Sequence, residues 1–474
     1  MILLIVVLVF GGMVFLHELG HFLAARLFNI EVEEFGFGFP PRMLRFWRAK
    51  GKLTIAGREI QIPDNFDLPF DSRIGTNKAV KATVDSLNGK LVLRTIELVK
   101  EPGSETPASQ TSATQNEFGI LAQMGRKDSG QASISVVPTK RGETEIAGVL
   151  TYLEVGTEFT INWLPLGGFV RPKGEGDPEI PGGLAAASPW KRLGVLVAGP
   201  VMNLLTAVIV MSVIIAQAGV GVPGKVLIDN VAEDSPAQQA GIQAKDVIVA
   251  INGKPVSTLD EARTLIRANL DTPIELTLNR GGEQVTLIAT PLSSRTAEQG
   301  ALGVGLAYPR RAATIGEIIG GGFIYTGAQA LSILYIPIGL VQGAIAPDEA
   351  RLVGLKGIYD FFGQAVQRDV QSRQEASQPS QGGQGTATTA ETPTNYVLSL
   401  IAMLSISLGV FNLLPIPALD GGRILFTFPE IIFRRRIPPR LENLINGVAM
   451  MALIALMLFI NAMDFINPVN INLP

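Results

Sequence analysis

Four stretches of this chain are long and apolar enough to be helices in a bilayer: residues 2–25, 193–216, 396–416 and 444–463. A helix needs about 20 apolar residues to cross the hydrocarbon core. There the backbone must satisfy its own hydrogen bonds, so each stretch is committed to helix. A fifth stretch, 314–345, is apolar but glycine-rich and carries Glu317 near its start. Hydrophobic residues make up 47% of the chain and charged ones 17%. That balance suits a membrane protein with soluble parts. The first stretch lacks a basic leading region and a small-residue cleavage site, so it reads as a retained span rather than a removable signal. The net charge is −3, and no long basic run is interleaved with aromatics, so nucleic acid is not an expected partner.

Basic residues set the orientation. Arg26, Arg42, Arg45, Arg48, Lys50 and Lys52 follow the first span. Arg171, Lys173, Lys191 and Arg192 precede the second, and Arg434, Arg435, Arg436 and Arg440 lie between the third and fourth. All three clusters share one side, the cytoplasmic one, if four spans alternate and 314–345 stays interfacial or re-entrant. Both termini and residues 217–395 then lie outside.

The expected fold is a polytopic α-helical membrane protein with four transmembrane helices and two soluble additions. Residues 29–192 form a cytoplasmic insert. Alternating apolar positions in "KLVLRTIELV", "QASISVV" and "GTEFTINWLPLGGFV" favour strands. Residues 102–116 read as a flexible polar break. The aromatic, glycine-rich pieces "VEEFGFGFPPRMLRFW" and "INWLPLGGFVRP" suit a hairpin that dips into the membrane surface, with a β-rich insertion at 51–156. Residues 222–292 read as a separate compact domain of strands and one helix. Residues 371–395 are low in complexity and read as a disordered linker.

The chemistry sits in "FLHELGHFLAARLF", residues 15–28. His17 and His21 are the only 2 histidines of 474 residues, and cysteine is absent. Four residues apart, they share one helix face. That spacing lets two imidazoles hold one Zn²⁺, with Glu18 placed to take a proton from water. An ionisable residue near the centre of a lipid-facing helix costs about 2.5–3.5 kcal/mol on insertion scales, so such residues are functional by default. A catalytic zinc usually has three protein ligands. Without further His or any Cys, the third must be a carboxylate. Asp420 in "FNLLPIPALDGGRILF" is the best candidate. Pro415 and Pro417 break the third span there, and Gly421 and Gly422 allow close backbone approach. The plainer readings are a first span that ends early, with its histidines at the interface, and a solvated turn at "ALDGG". The two motifs outweigh these together. They also fix the topology: His17 and Asp420 share a depth only if spans one and three run the same way, which requires that 314–345 does not cross.

H-E-x-x-H in a first span and N-x-x-P-x-P-x-L-D-G in a late one resemble the site-2 protease family of intramembrane zinc metalloproteases. The resemblance is to the bacterial branch that cleaves membrane-anchored anti-sigma factors. "AGPVMN" (198–203) is similar to that family's second-span motif, "LPLGGFV" (164–170) to its membrane-associated β-hairpin, and "DNVAEDSPAQQAGIQAKDVIVAINGKPV" (229–256) to a PDZ domain. The likeness covers roughly residues 1–48, 157–295 and 395–465, and leaves 51–156 unmatched. It implies one zinc per chain on His17, His21 and Asp420, with Glu18 as general base. By position it implies substrate-holding or carbonyl-polarising roles for Asn203 and Asn412. Gly167 and Gly168 would expose an edge strand for an extended substrate. Implied partners are the lipid bilayer, single-span membrane protein substrates and a C-terminal peptide for the PDZ domain. The rival readings are a non-catalytic PDZ membrane scaffold and a zinc-binding transporter.

Overall fold

The computed structural model describes residues 2–70, 77–87, 89–99, 135–138, 143–294, 300–345, 352–377 and 395–467. The polar break at 102–116 and most of the linker at 371–395 lie outside the described residues. The chain divides into two compact units. One comprises Met1–Thr206, Ser332–Gly363 and Leu404–Pro474, the other Ala207–Leu331 and Gln364–Met403.

The first unit opens with α1 (Ile2–Leu27), which buries a single stripe including Met13, His17, Gly20, His21 and Ala24. Helical periodicity puts these residues on one face. Next come β1 (Val32–Arg48), β2 (Gly51–Ile55), β3 (Arg58–Ile62), β4 (Lys78–Leu87), β5 (Lys90–Leu98), β6 (Ser135–Pro138), β7 (Glu143–Glu154) and β8 (Glu158–Pro172). Strands β1 and β8 pair antiparallel, and both bend. Phe35 therefore lies between Val170 on one side and Phe159 on the other, while Phe159 also pairs with Trp47. Residues 168–172 become an edge that pairs on one side only. Between the arms of this hairpin, β2-β3-β5-β4-β7-β6 form a sheet, and β2 also pairs with β7. The β2–β7 pairing closes five strands into a small barrel. Its alternating inward residues, Leu53, Ile55, Ile60, Ile62, Val80, Ala82, Val84, Leu93 and Ile146, are almost wholly buried. The backbone enters and leaves at one place, where Ala49 N donates to Thr157 O at 2.9 Å. Helix α2 (Pro189–Ala218) follows.

The second unit contains β9 (Val220–Gly221), β10 (Val226–Val231), α3 (Pro236–Gln239), β11 (Val247–Ile251), β12 (Lys254–Pro255), α4 (Leu259–Arg267), β13 (Ile274–Arg280), β14 (Glu283–Ala289), β15 (Val304–Ala307) and β16 (Arg310–Arg311). The sheet runs β14-β13-β11-β10-β15 over a core that includes Ile228, Ile248, Ile251, Leu276 and Leu278. Its last strand lies beyond 292, so the domain is longer than its sequence boundary. Residues 293–303 are polar and carry no apolar alternation, which hides β15. Thr258 caps α4 in a reciprocal capping box with Glu261.

Five further helices follow: α5 (Ile315–Val341), α6 (Leu355–Ser377), α7 (Tyr396–Leu413), α8 (Asp420–Phe433) and α9 (Pro439–Ile466). Among the described residues, five helices, α1, α2, α5, α7 and α9, are long and apolar enough to cross a membrane. The protein is a multi-pass membrane protein. Residues 315–341 form one helix, α5, with Pro337 inside it. Two expectations need correction. Residues 371–377 continue α6 rather than starting a linker, because Gln, Arg, Glu and Ala are good helix formers. The span placed at 396–422 is two elements: α7 ends at Leu413, and Asp420 opens α8 after the proline-bearing break.

Candidate metal centre

His17 Nε2 lies 3.0 Å from Asp420 Oδ2 and 3.1 Å from His21 Nε2, and His21 Nε2 lies 3.3 Å from Asp420 Oδ2. Among the described residues, this is the group of His and carboxylate side chains whose donor atoms converge as a metal site requires. Bonds of 2.0–2.2 Å in a tetrahedral site put neighbouring donors about 3.3–3.6 Å apart. The three observed edges are slightly tighter, a triangle that fits the face of such a tetrahedron. Both histidines are buried, each 7% exposed.

Each partner element has a sequence reason to be where it is. Gly20 lets α2 approach α1: a Cβ there would stand 2.9 Å from Met202 Cβ and the Ala198 carbonyl carbon. Gly199 does the same opposite the rings, where a Cβ would stand 2.6 Å from His21 Cε1 and 2.9 Å from His17 Cε1. Close approach through small residues is the usual device between membrane helices. Val195, Gly199 and Asn203 form an i, i+4, i+8 stripe on α2. From this stripe Val195 O accepts from His21 Nδ1 at 2.8 Å, and the Asn203 amide lies 3.1 Å from His17 Nδ1.

Asp420 is delivered by a folded-back loop. Ala418 has a left-handed backbone (φ +74°) and its N–H donates to Asn446 Oδ1 at 3.1 Å. A non-glycine residue rarely adopts that conformation. Cβ atoms at Gly421 or Gly422 would stand 2.6 Å from the Leu414 carbonyl carbon or Pro417 Cα, so only glycine fits under the loop. Asp420 thereby occupies the first turn of α8, where the free N–H groups favour a carboxylate.

Glu18 stays outside the triangle. Its Oε2 accepts from Val170 N at 3.2 Å, so the edge strand 168–172 holds the carboxylate beside the two histidines. That strand reaches α1 through Gly167 (φ +137°), where a Cβ would stand 2.7 Å from Val14 Cβ, and through Gly168, packed on Phe15.

Residues 5–56 and 146–456 match the family model described as peptidase family M50. The chain belongs to peptidase family M50. Two relatives span nearly its whole length. The zinc metalloprotease RasP of Oceanobacillus iheyensis is 26% identical over 488 residues, covering 97% of each chain. RasP of Geobacillus kaustophilus is 27% identical over 461 residues, covering 97% of this chain and 96% of its own. This M50 chain is accordingly a zinc metalloprotease of the site-2 type, set in a membrane. The scaffold and transporter readings fall with that assignment. Residues 57–145, most of the barrel, lie outside the family match.

Of the sequence candidates, His17, His21, Asp420 and Asn203 come together, and Glu18 stands beside them with the Gly167–Gly168 strand. The Asn412 amide donates to Leu408 O one turn back in α7 at 3.0 Å. Sequence reasoning missed Val195, Gly199 and Val170. Gly199 lies inside "AGPVMN" and was findable there. Val195 and Val170 act through backbone atoms, which leave no trace in residue type.

Proposed function

We propose that this M50 protease hydrolyses a peptide bond within the transmembrane segment of single-span membrane proteins, such as an anti-sigma factor. In this reading His17, His21 and Asp420 hold the zinc and Glu18 is the general base. The observation that carries it is the meeting of three donor atoms from residues 403 apart in sequence, with a carboxylate held beside them. When bound, zinc acts as a Lewis acid on the scissile carbonyl and lowers the pKa of water to about 7. Glu18, anchored by the Val170 amide, accepts the proton of the attacking water and passes it to the leaving nitrogen. A helical substrate hides its peptide bonds, so it must unwind first. The edge at 168–172 offers an extended segment a strand to pair with.

The topology follows the same reading. The charge clusters put the hairpin and barrel in the cytoplasm and 222–307, a PDZ domain, outside. There it screens substrates or binds a freed C-terminus. Helix α5 leaves from the outer end of α2, where Val220 pairs with Arg311. After α5 the chain returns to the outer end of α9: Gly354 N donates to Asp464 Oδ2 at 2.8 Å and Leu355 N to Asn461 Oδ1 at 2.9 Å. Ala344 N and Ile345 N both turn back onto Gly339 O. In this reading helix α5 makes no net crossing, which lets the first and third spans run the same way.

The test is cleavage of a single-span substrate by purified protein. Glu18→Gln should abolish cleavage while zinc stays bound. Cleavage at the parental rate by Glu18→Gln would remove Glu18 as the base.

A further inference from the structure

Both histidines use Nε2 in the triangle, so each must keep its proton on Nδ1 to leave Nε2 bare for a metal. For His21 the fold settles this: Val195 O can only accept, and it lies 2.8 Å from Nδ1. The neighbour of His17 Nδ1 is the side-chain amide of Asn203, fully buried, with Nδ2 at 3.1 Å and Oδ1 without a partner. An amide N–H aimed at Nδ1 forces the ring proton onto Nε2, where it bonds Asp420 and blocks a metal. A half-turn of the amide exchanges its two atoms. Oδ1 then accepts from Nδ1–H, and Nε2 is bare. The turn that carries Asn203 is itself fixed, because Ser405 Oγ, fully buried, donates to Asn203 O at 2.8 Å.

We propose that Asn203 is a positioning residue for His17: its side-chain oxygen accepts the Nδ1 proton and sets the tautomer that binds zinc. This rests on the zinc reading above and replaces a direct role on substrate for Asn203. The two histidines are then held from one helix by unlike groups, a main-chain carbonyl and a rotatable amide.

The test is metal affinity of the full-length protein in detergent, measured by chelator competition with Zn²⁺ and from the visible spectrum of bound Co²⁺. Loss of such an outer hydrogen bond typically costs about 10–100-fold in affinity. Asn203→Leu, similar in size and without an acceptor, should show that loss and a perturbed Co²⁺ spectrum. Asn203→Asp, which keeps the acceptor, should restore affinity and spectrum to near the parent. A packing role would not be rescued by the charge, so failure of Asn203→Asp to bind better than Asn203→Leu would overturn the proposal. So would parental affinity in Asn203→Leu. If Asn203→Leu does not assemble, parental affinity in Asn203→Asp still supports the proposal, and a 10-fold loss there sinks it. His17→Ala is the control: retention of tight metal by that variant would dismiss the zinc reading itself rather than the role of Asn203.

Discussion

At the scale of single residues, the site depends as much on missing atoms as on ligands. Gly199→Ala places a methyl group against both imidazoles. Overpacking of this kind costs about 1–3 kcal/mol, and the strained atoms here are the rings that hold zinc. The variant should lose zinc and cleavage together while remaining membrane-inserted. Full zinc content with parental thermal stability would show that the helices can part without cost. The pair His17 and His21 was legible in sequence because a four-residue spacing on a helix has one meaning. Asp420 was legible by elimination, since the chain has 2 histidines and no cysteine. The closeness of Gly199 to the rings was not legible, because it depends on where two helices cross.

At the scale of elements, two structures can be tested separately. The first is α5. Single cysteines at Ala312 and Gln342, flanking it, should both react with an impermeant thiol reagent added outside. Reaction of Gln342→Cys only from inside would mean that α5 crosses and that Asp420 enters from the wrong face. The second is the base of the hairpin. Partial burial of Glu158 works against its charge, but the hydrogen bond and charge of Arg48, with Arg42 and Arg45, outweigh it and hold the carboxyl below its ordinary value. Arg42 Nη2 stands 2.7 Å from it. A lowered pKa gives stability that is complete above the ordinary glutamate range and lost as pH falls through the folded value. The hairpin should loosen on acidification below about pH 4. Glu158→Gln should start less stable and respond less steeply to acid, and an identical acid profile in the two proteins would exclude the pair as its cause. Strand patterns such as "IELTLNR" showed in sequence and became β13. Helix α6 did not, because its apolar positions cluster in its first three turns and its tail is polar.

At the scale of the whole molecule, an M50 core carries an added barrel between the arms of its hairpin. Ala49 N already meets Thr157 O at the barrel's base. Replacing residues 51–155 by a short Gly-Ser turn should therefore leave zinc binding and cleavage of a short substrate intact. Loss of zinc in that variant would make the barrel part of the site. Its strands were foreshadowed by alternation, but its closure was not. The parallel β3–β5 and the β2–β7 pairings join segments far apart in the chain, and no local pattern encodes them. The claim on which everything else rests is that His17, His21 and Asp420 form one metal site with Glu18 outside it. Zinc content of the purified full-length chain, compared among the parent, Glu18→Gln and Asp420→Ala, tests it most directly. The parent and Glu18→Gln should each carry about one zinc per chain, and Asp420→Ala should carry little. Full zinc retention in Asp420→Ala would contradict the site.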